Sequence, residues 1–408
     1  MRKMKDSGID WIGRIPGNWN VKTIDSCFRE RNEKVSDYDW EPLSVTKQGI
    51  VKQLENAAKS DAHDSRKKVC NGDFVINSRS DRKQSCGLSE YDGSVSLINI
   101  VLENKNLKKE YIKYLLKNYG FAEEFYRWGS GIVSDLWSTN YQKMKKISIP
   151  IPPLDEQFKI GKELDKKITE IDNVIEKTRQ TIEDYKQYKQ SIITKAVTKG
   201  LNKNVEMKDS GIEWIGRIPK HWSLKKLKFS SKTRNKKYNE QFGNLEYFAL
   251  ENIISGDAEF EKTNNQYSLD GTMICEKDDV VFGKLRPYLA KVYKSPKRQC
   301  CSSEFAIFYD FDGISDYYKY LFLTHWFIKL VDASTYGTKM PRVNIEYLNN
   351  MMIPIPNIEE QIEIVKYLEN KIIEINELIK NKENLIIELE KYKKSLIYEY
   401  VTGKKEVI

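Results

Sequence analysis

The chain repeats itself at half its length. Ile149-Pro150-Ile151-Pro152, followed by Leu154-Asp155-Glu156-Gln157, recurs as Ile353-Pro354-Ile355-Pro356, followed by Ile358-Glu359-Glu360-Gln361. From Ile149 to Ile353 the offset is 204 in a chain of 408 residues. After each copy apolar residues return at alternating steps of four and three. The first run is Leu164, Ile168, Ile171, Ile175 and on to Ile192; the second is Leu368, Ile372, Ile375, Ile379 and on to Leu396, position for position. Such spacing over about four heptads describes a coiled-coil seam, so two matched long helices are expected.

A second repeat opens each half. Met4 to Trp19 and Met207 to Trp222 are identical at 13 of 16 positions. Ser-Gly and Ile-Pro steps punctuate the segment, which reads as a loop anchored by Trp11, Ile12, Ile15 and Trp19. It either packs on the helix ends or docks the same partner twice through Trp11, Ile12, Trp214 and Ile215. His221 stands where the first copy has Asn18, which argues against a ligand or catalytic role for it.

Between these repeats lie two blocks of nearly equal length and little shared sequence. In the first, Phe74-Val75-Ile76 and Val95 to Leu102 read as strands, Asn71-Gly72 and Asp92-Gly93 as turns, and Tyr111 to Tyr126 as a helix. Ile147, Ile149 and Ile151 alternate as a closing strand. In the second, Val280 to Phe282 and Glu304 to Tyr309 read as strands, Asp270-Gly271 and Asp312-Gly313 as turns, and Tyr317 to Val331 as a helix, with Met351, Ile353 and Ile355 closing. Asn357 and Glu360 form a capping-box pattern, and Gly200 and Gly403 are helix stop signals. The fold class is mixed α/β. Its expected parts are an anchor segment 1–20, a block 21–153, a helix 154–200, a second anchor 201–222, a block 223–356, a helix 357–403 and a tail 404–408.

Charge separates frame from blocks. The net charge is +9; counted over 154–199 and 358–400 the helices sum to −2, so +11 lies elsewhere, where a polyanion would meet it. No apolar run is long enough to span a membrane, and six cysteines without metal-like spacing read as reduced thiols of a cytoplasmic protein. A repeated frame with divergent inserts meets one thing twice and two different things once each, which suits a bipartite, asymmetric target.

Taken together, the I-P-x-P openings leading to Glu-Gln, the paired helices and the W-I-G-x-I-P segments resemble the specificity subunit of type I restriction–modification systems, over the whole chain. The resemblance implies two target-recognition domains, each reading one half of a split double-stranded DNA site. It implies an antiparallel coiled coil with a pseudo-two-fold repeat that sets the spacing. It also implies docking of two modification subunits, which bring S-adenosylmethionine, with restriction subunits, which use ATP and Mg, joining outside. No cofactor is expected in this chain itself.

Basic and amide residues in turn-like stretches are the candidate DNA contacts, because Arg and Lys suit guanine or phosphate and Asn or Gln suit adenine. In the first block these are Lys47, Gln48, Arg79, Arg82, Lys83 and Gln84. In the second they are Lys284, Arg286, Tyr288, Lys339, Arg342 and Asn344, although Asn140 and Asn344 share the 204 offset and suit a structural turn equally. No Walker A run is present, and the one Pro-Pro step has flanks that cannot bond a base amine. The expected role is therefore non-catalytic. Two other readings stand at this point: a coiled-coil scaffold bridging two partner proteins without sequence-specific DNA binding, and an enzyme with an unrecognised site.

Overall fold

In the computed structural model, residues 2–53, 65–131, 137–213, 215–263, 268–337 and 339–407 are described. They form two compact units, Met1–Thr178 with Asn384–Ile408, and Arg179–Glu383. The boundaries cut both long helices, Leu154–Lys199 and Ile358–Val401, near their middles. Each unit thus contains one block, half of each long helix and one anchor segment.

In the first unit a four-stranded antiparallel sheet runs in the order Cys86–Leu88, Phe74–Asn77, Asn99–Asn104, Phe28–Glu30. A three-stranded sheet (Gly93–Ser96, Arg66–Val69, Lys34–Val35) and a hairpin (Leu43–Val45, Ile50–Lys52) accompany it. The closing strand Ser148–Ile151 pairs with Asn20–Thr23. The second unit repeats this plan. Val292–Lys294, Val280–Gly283, Phe305–Tyr309 and Lys232–Arg234 form its four-stranded sheet, and Met352–Ile355 closes on Ser223–Lys226. Two blocks with little common sequence therefore share one skeleton. No helix among the described residues is long and apolar enough to cross a membrane.

Three sequence expectations change. The stretch from Val95 to Leu102 is two strands, broken at Leu97-Ile98, which are partly exposed. Each expected block helix is a pair: Lys109–Leu115 with Tyr119–Arg127, and Ser315–Phe322 with His325–Ala333. Asn118 causes the first break, since its side chain accepts the Phe121 amide (3.0 Å) and starts a new helix. The anchor segments are hairpins, Met4–Asp6 pairing with Arg14–Pro16 and Met207–Asp209 with Arg217–Pro219.

The repeated motifs turn out to be clamps. Glu156 accepts the Trp19 indole N–H (3.0 Å) and pairs with Arg2; Glu360 accepts the Trp222 indole N–H (3.0 Å) and lies 2.9 Å from the His221 ring nitrogen. Asn357 does cap the second helix by accepting the Glu360 amide (2.8 Å), but Glu360 turns to Trp222 instead of reaching back. Gln157 accepts the Lys108 amide and donates to Pro152; Gln361 accepts the Ile314 amide and donates to Pro356. The Glu-Gln pair thus ties anchor, closing strand and block helix to the start of each long helix.

At the other helix ends, Gly200 and Gly403 have φ of +73° and +70°, a region that favours glycine. Their surroundings differ. A Cβ on Gly403 would lie 2.3 Å from Pro16, whereas one on Gly200 would meet nothing nearer than Trp222 at 3.3 Å. Gly200→Ala is expected to cost about 1 kcal/mol from the backbone alone. Gly403→Ala should cost about 3 kcal/mol, because the Pro16 ring cannot move without opening the anchor hairpin. Chemical denaturation of the two variants side by side checks the difference.

Candidate nucleic-acid interface

In each unit a loop leaving the four-stranded sheet is zipped to a second loop that precedes a short helix. In the first unit Ser80 N–H donates to Trp137 O (2.8 Å), Thr139 N–H to Ser78 O (3.0 Å), and Ser130 and Ser138 exchange main-chain bonds. In the second unit Arg286 N–H donates to Pro341 O (2.8 Å), Val343 N–H to Lys284 O (3.1 Å), and Tyr336 and Arg342 exchange main-chain bonds. Ser138 and Arg342 are equivalent under the 204 offset, as are the Asn140 and Asn344 that follow. Both asparagines cap the next helix, Asn140 accepting from Lys143 (3.0 Å) and Asn344 from Glu346 (2.9 Å). The side-chain oxygen of Asn344 is therefore spent on structure.

The two stretches singled out in the second block, 284–288 and 339–344, are thus one surface. Arg286, Tyr288 and Lys339 are exposed there, beside exposed Tyr336 and Met340. Arg286 has φ of +49° and begins a short helical turn at Pro287, a strained geometry of the kind that gathers at functional loops. Lys284 lies half-buried, and burial holds its ammonium pKa below the usual value. Glu304, which the sequence did not single out, holds the Arg342 guanidinium with both oxygens (2.7 and 3.0 Å). That pairing keeps the Glu304 carboxyl below the ordinary carboxylate range.

In the first unit Lys47 and Gln48 sit exposed at the tip of the Leu43–Lys52 hairpin, and Lys117 donates to Gln48 O (3.2 Å). Arg79 donates to Asp81 (3.0 Å), Arg82 lies 3.7 Å from the same carboxylate, and Lys83 pairs with Glu123 (3.1 Å). Gln84 is partly buried with φ of +64°. Trp128 and Trp137 are part-exposed beside this loop. Aromatic faces interleaved with cations suit a nucleic-acid surface. The signal for the second loop was the Trp128-Gly129-Ser130-Gly131 run, which carries little charge.

The anchor residues lie elsewhere. Trp11 is 8% exposed and Ile12 fully buried; Ile215 is buried in its own unit, and Trp214 lies outside the described residues. Their burial follows from hydrophobicity: these side chains seal the helix ends, and main-chain groups complete the join. Tyr398 donates to Trp11 O (2.9 Å), Lys404 to Ile12 O (2.5 Å) and Lys199 to Ile215 O (3.1 Å). Trp11, Ile12 and Ile215 are thus core residues, as the reading of the anchor segments as packing on the helix ends has it, and not side chains free to dock a partner. What the long helices do expose at matched positions is Leu154 and Phe158, repeated as Ile358 and Ile362, Val174 repeated as Leu378, and Tyr188 repeated as Tyr392.

Among the described residues no group of three or more His, Cys, Asp or Glu is arranged to hold a metal ion. The cysteines are free, and five of the six are buried. Burial pushes the Cys86 thiol up to about 12.

The sequence matches the family described as "Type I restriction modification DNA specificity domain" twice, over residues 16–184 and 222–388. It is similar to the putative type I restriction enzyme MjaX specificity subunit of Methanocaldococcus jannaschii, at 23% identity over 89% of each chain. The MjaVIII specificity subunit of the same organism is 27% identical over 69% of this chain and 68% of that one. The EcoDI specificity subunit of Escherichia coli is 22% identical over 70% and 68%. A chain from structural work on complex assembly and conformational transition of the type I R-M system superposes with a TM-score of 0.74, at 13% identity over 96% of this chain and 99% of that one. The HsdS subunit of Thermoanaerobacter tengcongensis superposes at 0.54, with 16% identity over 96% and 98%. The chain belongs to the type I restriction–modification DNA specificity family and carries that family's domain twice.

Proposed function

We propose that each unit reads one half of a split double-stranded DNA target and that this chain supplies recognition, not catalysis. One observation carries the reading. The frame residues of the two units recur at an offset of 203 in the anchor segments and 204 in the helices, while the zipped loops differ at equivalent positions, Ser138 against Arg342 and the Arg79 segment against Arg286. A surface repeated unchanged meets one partner twice; loops that differ read different bases.

The two long helices pair antiparallel as a coiled coil in this reading. In the first unit Lys393 donates to Asp172 (2.7 Å); in the second Lys189 donates to Asn376 (3.0 Å). Residue numbers rise along one helix as they fall along its neighbour. Leu164, Ile168, Ile171 and Ile175 share a core with Leu396, and Ile192 shares one with Leu368 and Ile375. A helix of 46 residues is about 69 Å long at about 1.5 Å per residue, enough to set the interval between half-sites. The matched exposed pairs Leu154/Phe158 and Ile358/Ile362 supply the surface for two copies of a modification subunit, through which S-adenosylmethionine enters. ATP and Mg belong to restriction subunits joining outside, and the assembly works in the cytoplasm.

Co-expression with the cognate modification subunit, followed by sequencing of methylated DNA, tests this. A split adenine-methylated motif should appear only with this chain present. Exchanging residues 21–153 for the matching block of another family member should change one half of the motif and leave the other. Binding should fall steeply with salt, by about 0.9 log units per decade for each phosphate contact. A stable complex with no selective methylation would favour a bridging scaffold.

A further inference from the structure

Resting on that reading, we infer that Arg342 reads a guanine in the half-site of the second unit and that Glu304 is its positioning residue. The atoms make the case. The guanidinium spends its Nε–H and one Nη2–H on the two oxygens of Glu304, at 3.0 and 2.7 Å. Its other edge, both Nη1 hydrogens and the second Nη2 hydrogen, is used by none of the hydrogen bonds among the described residues. Two parallel donors on that edge match the O6 and N7 acceptors that guanine presents in the major groove.

The arginine is also fixed at its root. Its main-chain N–H and C=O both bond Tyr336 (3.1 Å each), and its flanks Pro341 and Val343 bond Arg286 and Lys284. Glu304 is held in turn, its carbonyl accepting the Lys284 amide (2.8 Å). A side chain pinned at both backbone and fork loses little freedom on binding, which is what separates a base reader from a loose phosphate contact. Exposed Arg286 and Lys339, which have no ion-pair partner among the described residues, flank it as phosphate-binding groups. At the equivalent place the first unit has Ser138, a small neutral side chain, so the device belongs to one half-site only.

The methylated motif of the reconstituted complex provides the test. The half-site of the second unit is the half that persists when residues 21–153 are exchanged, and it should contain an invariant guanine. Arg342→Lys keeps the charge and loses the fork; Glu304→Gln weakens the support and leaves the arginine intact. Each should lower the preference for that guanine about ten- to a hundred-fold, leave the other half-site unchanged and leave the melting temperature near that of the parent. Persistence of every base preference in both variants, with a salt slope unchanged from the parent because the lysine keeps the charge, would make Arg342 a phosphate contact and overturn the inference. So would a second half-site without guanine. If the parent complex yields no split motif at all, the recognition reading itself fails.

Discussion

A chain cut after residue 204 is expected to assemble as a dimer of identical halves and, with the modification subunit, to direct methylation to a symmetric site carrying the first half-site twice in inverted order. The structural reason is the exchangeability of the helix ends. In the first unit Tyr111, fully buried, shares its single O–H between Pro150 O and Val401 O (3.0 Å each). In the second unit Tyr317 does the same with Pro354 O (2.9 Å) and Val197 O (3.1 Å). Val197 and Val401 are equivalent, and Ile192, Ile193 and Ala196 stand where Leu396, Ile397 and Tyr400 do. Residues 1–204 therefore contain both a seat and the segment that fills a seat, and a second copy supplies what the missing half supplied. Lys189 of one copy would meet Asp172 of the other, and Lys199 would serve the Ile12 carbonyl as Lys404 now does. Losses are the Tyr398 bond to Trp11 O and its ring contact with Tyr119 at 5.0 Å, since Thr194 replaces it. Association must also proceed without the millimolar effective concentration of a linked chain, so the dimer should dissociate on dilution. Light scattering across a dilution series and methylated-DNA sequencing decide it; a well-folded monomer at high concentration would contradict the equivalence.

Much of the frame was legible because periodicity encodes it. The two long helices, the anchor repeats and the Gly200 and Gly403 stops follow from spacing, and Gly72 takes φ of +92° at the expected Asn71-Gly72 turn. The matching turn of the second block escaped because Asp278 fills that role without glycine, at φ of +68°. The broken block helices escaped because Leu116 and Leu323 keep the apolar pattern across the break, while the first break depends on one side-chain cap, that of Asn118. Packing and docking stayed open for Trp11 and Ile12 because a short punctuated segment gives no periodicity from which burial can be read. The recognition surface was only half visible. Cations in turns can be seen in a sequence; the main-chain zipper that joins 284–286 to 341–343, and the carboxylate of Glu304 that aims Arg342, depend on distant segments meeting.

Asp279→Ala is expected to destabilise the second unit more than Asp73→Ala destabilises the first, although the two carboxylates do the same job. Asp73 binds Arg31 with both oxygens (2.7 and 3.2 Å) and accepts the Cys70 amide (2.8 Å); Asp279 binds Arg234 (2.7 and 3.0 Å) and accepts the Glu276 amide (2.8 Å). Both carboxylates are almost wholly buried, so removing either strands a largely buried guanidinium and an amide, at about 3–5 kcal/mol. The difference lies in what remains. Arg31 keeps Glu103 at 3.6 Å, which retains part of its Coulomb energy. Arg234 keeps the ring of Tyr309 at 4.1 Å, worth about 1 kcal/mol. The deficit should therefore approach the upper figure for Asp279→Ala and the lower for Asp73→Ala. Hydrogen exchange should place each loss in the sheet strands of the affected unit, Val280–Gly283 or Phe74–Asn77, with the other unit protected as before. Equal losses would mean that Glu103 and the Tyr309 ring compensate alike; loss of protection in both units from either change would mean that the two cores are not energetically separate. The assignment of one half-site to each unit would then need a different physical basis.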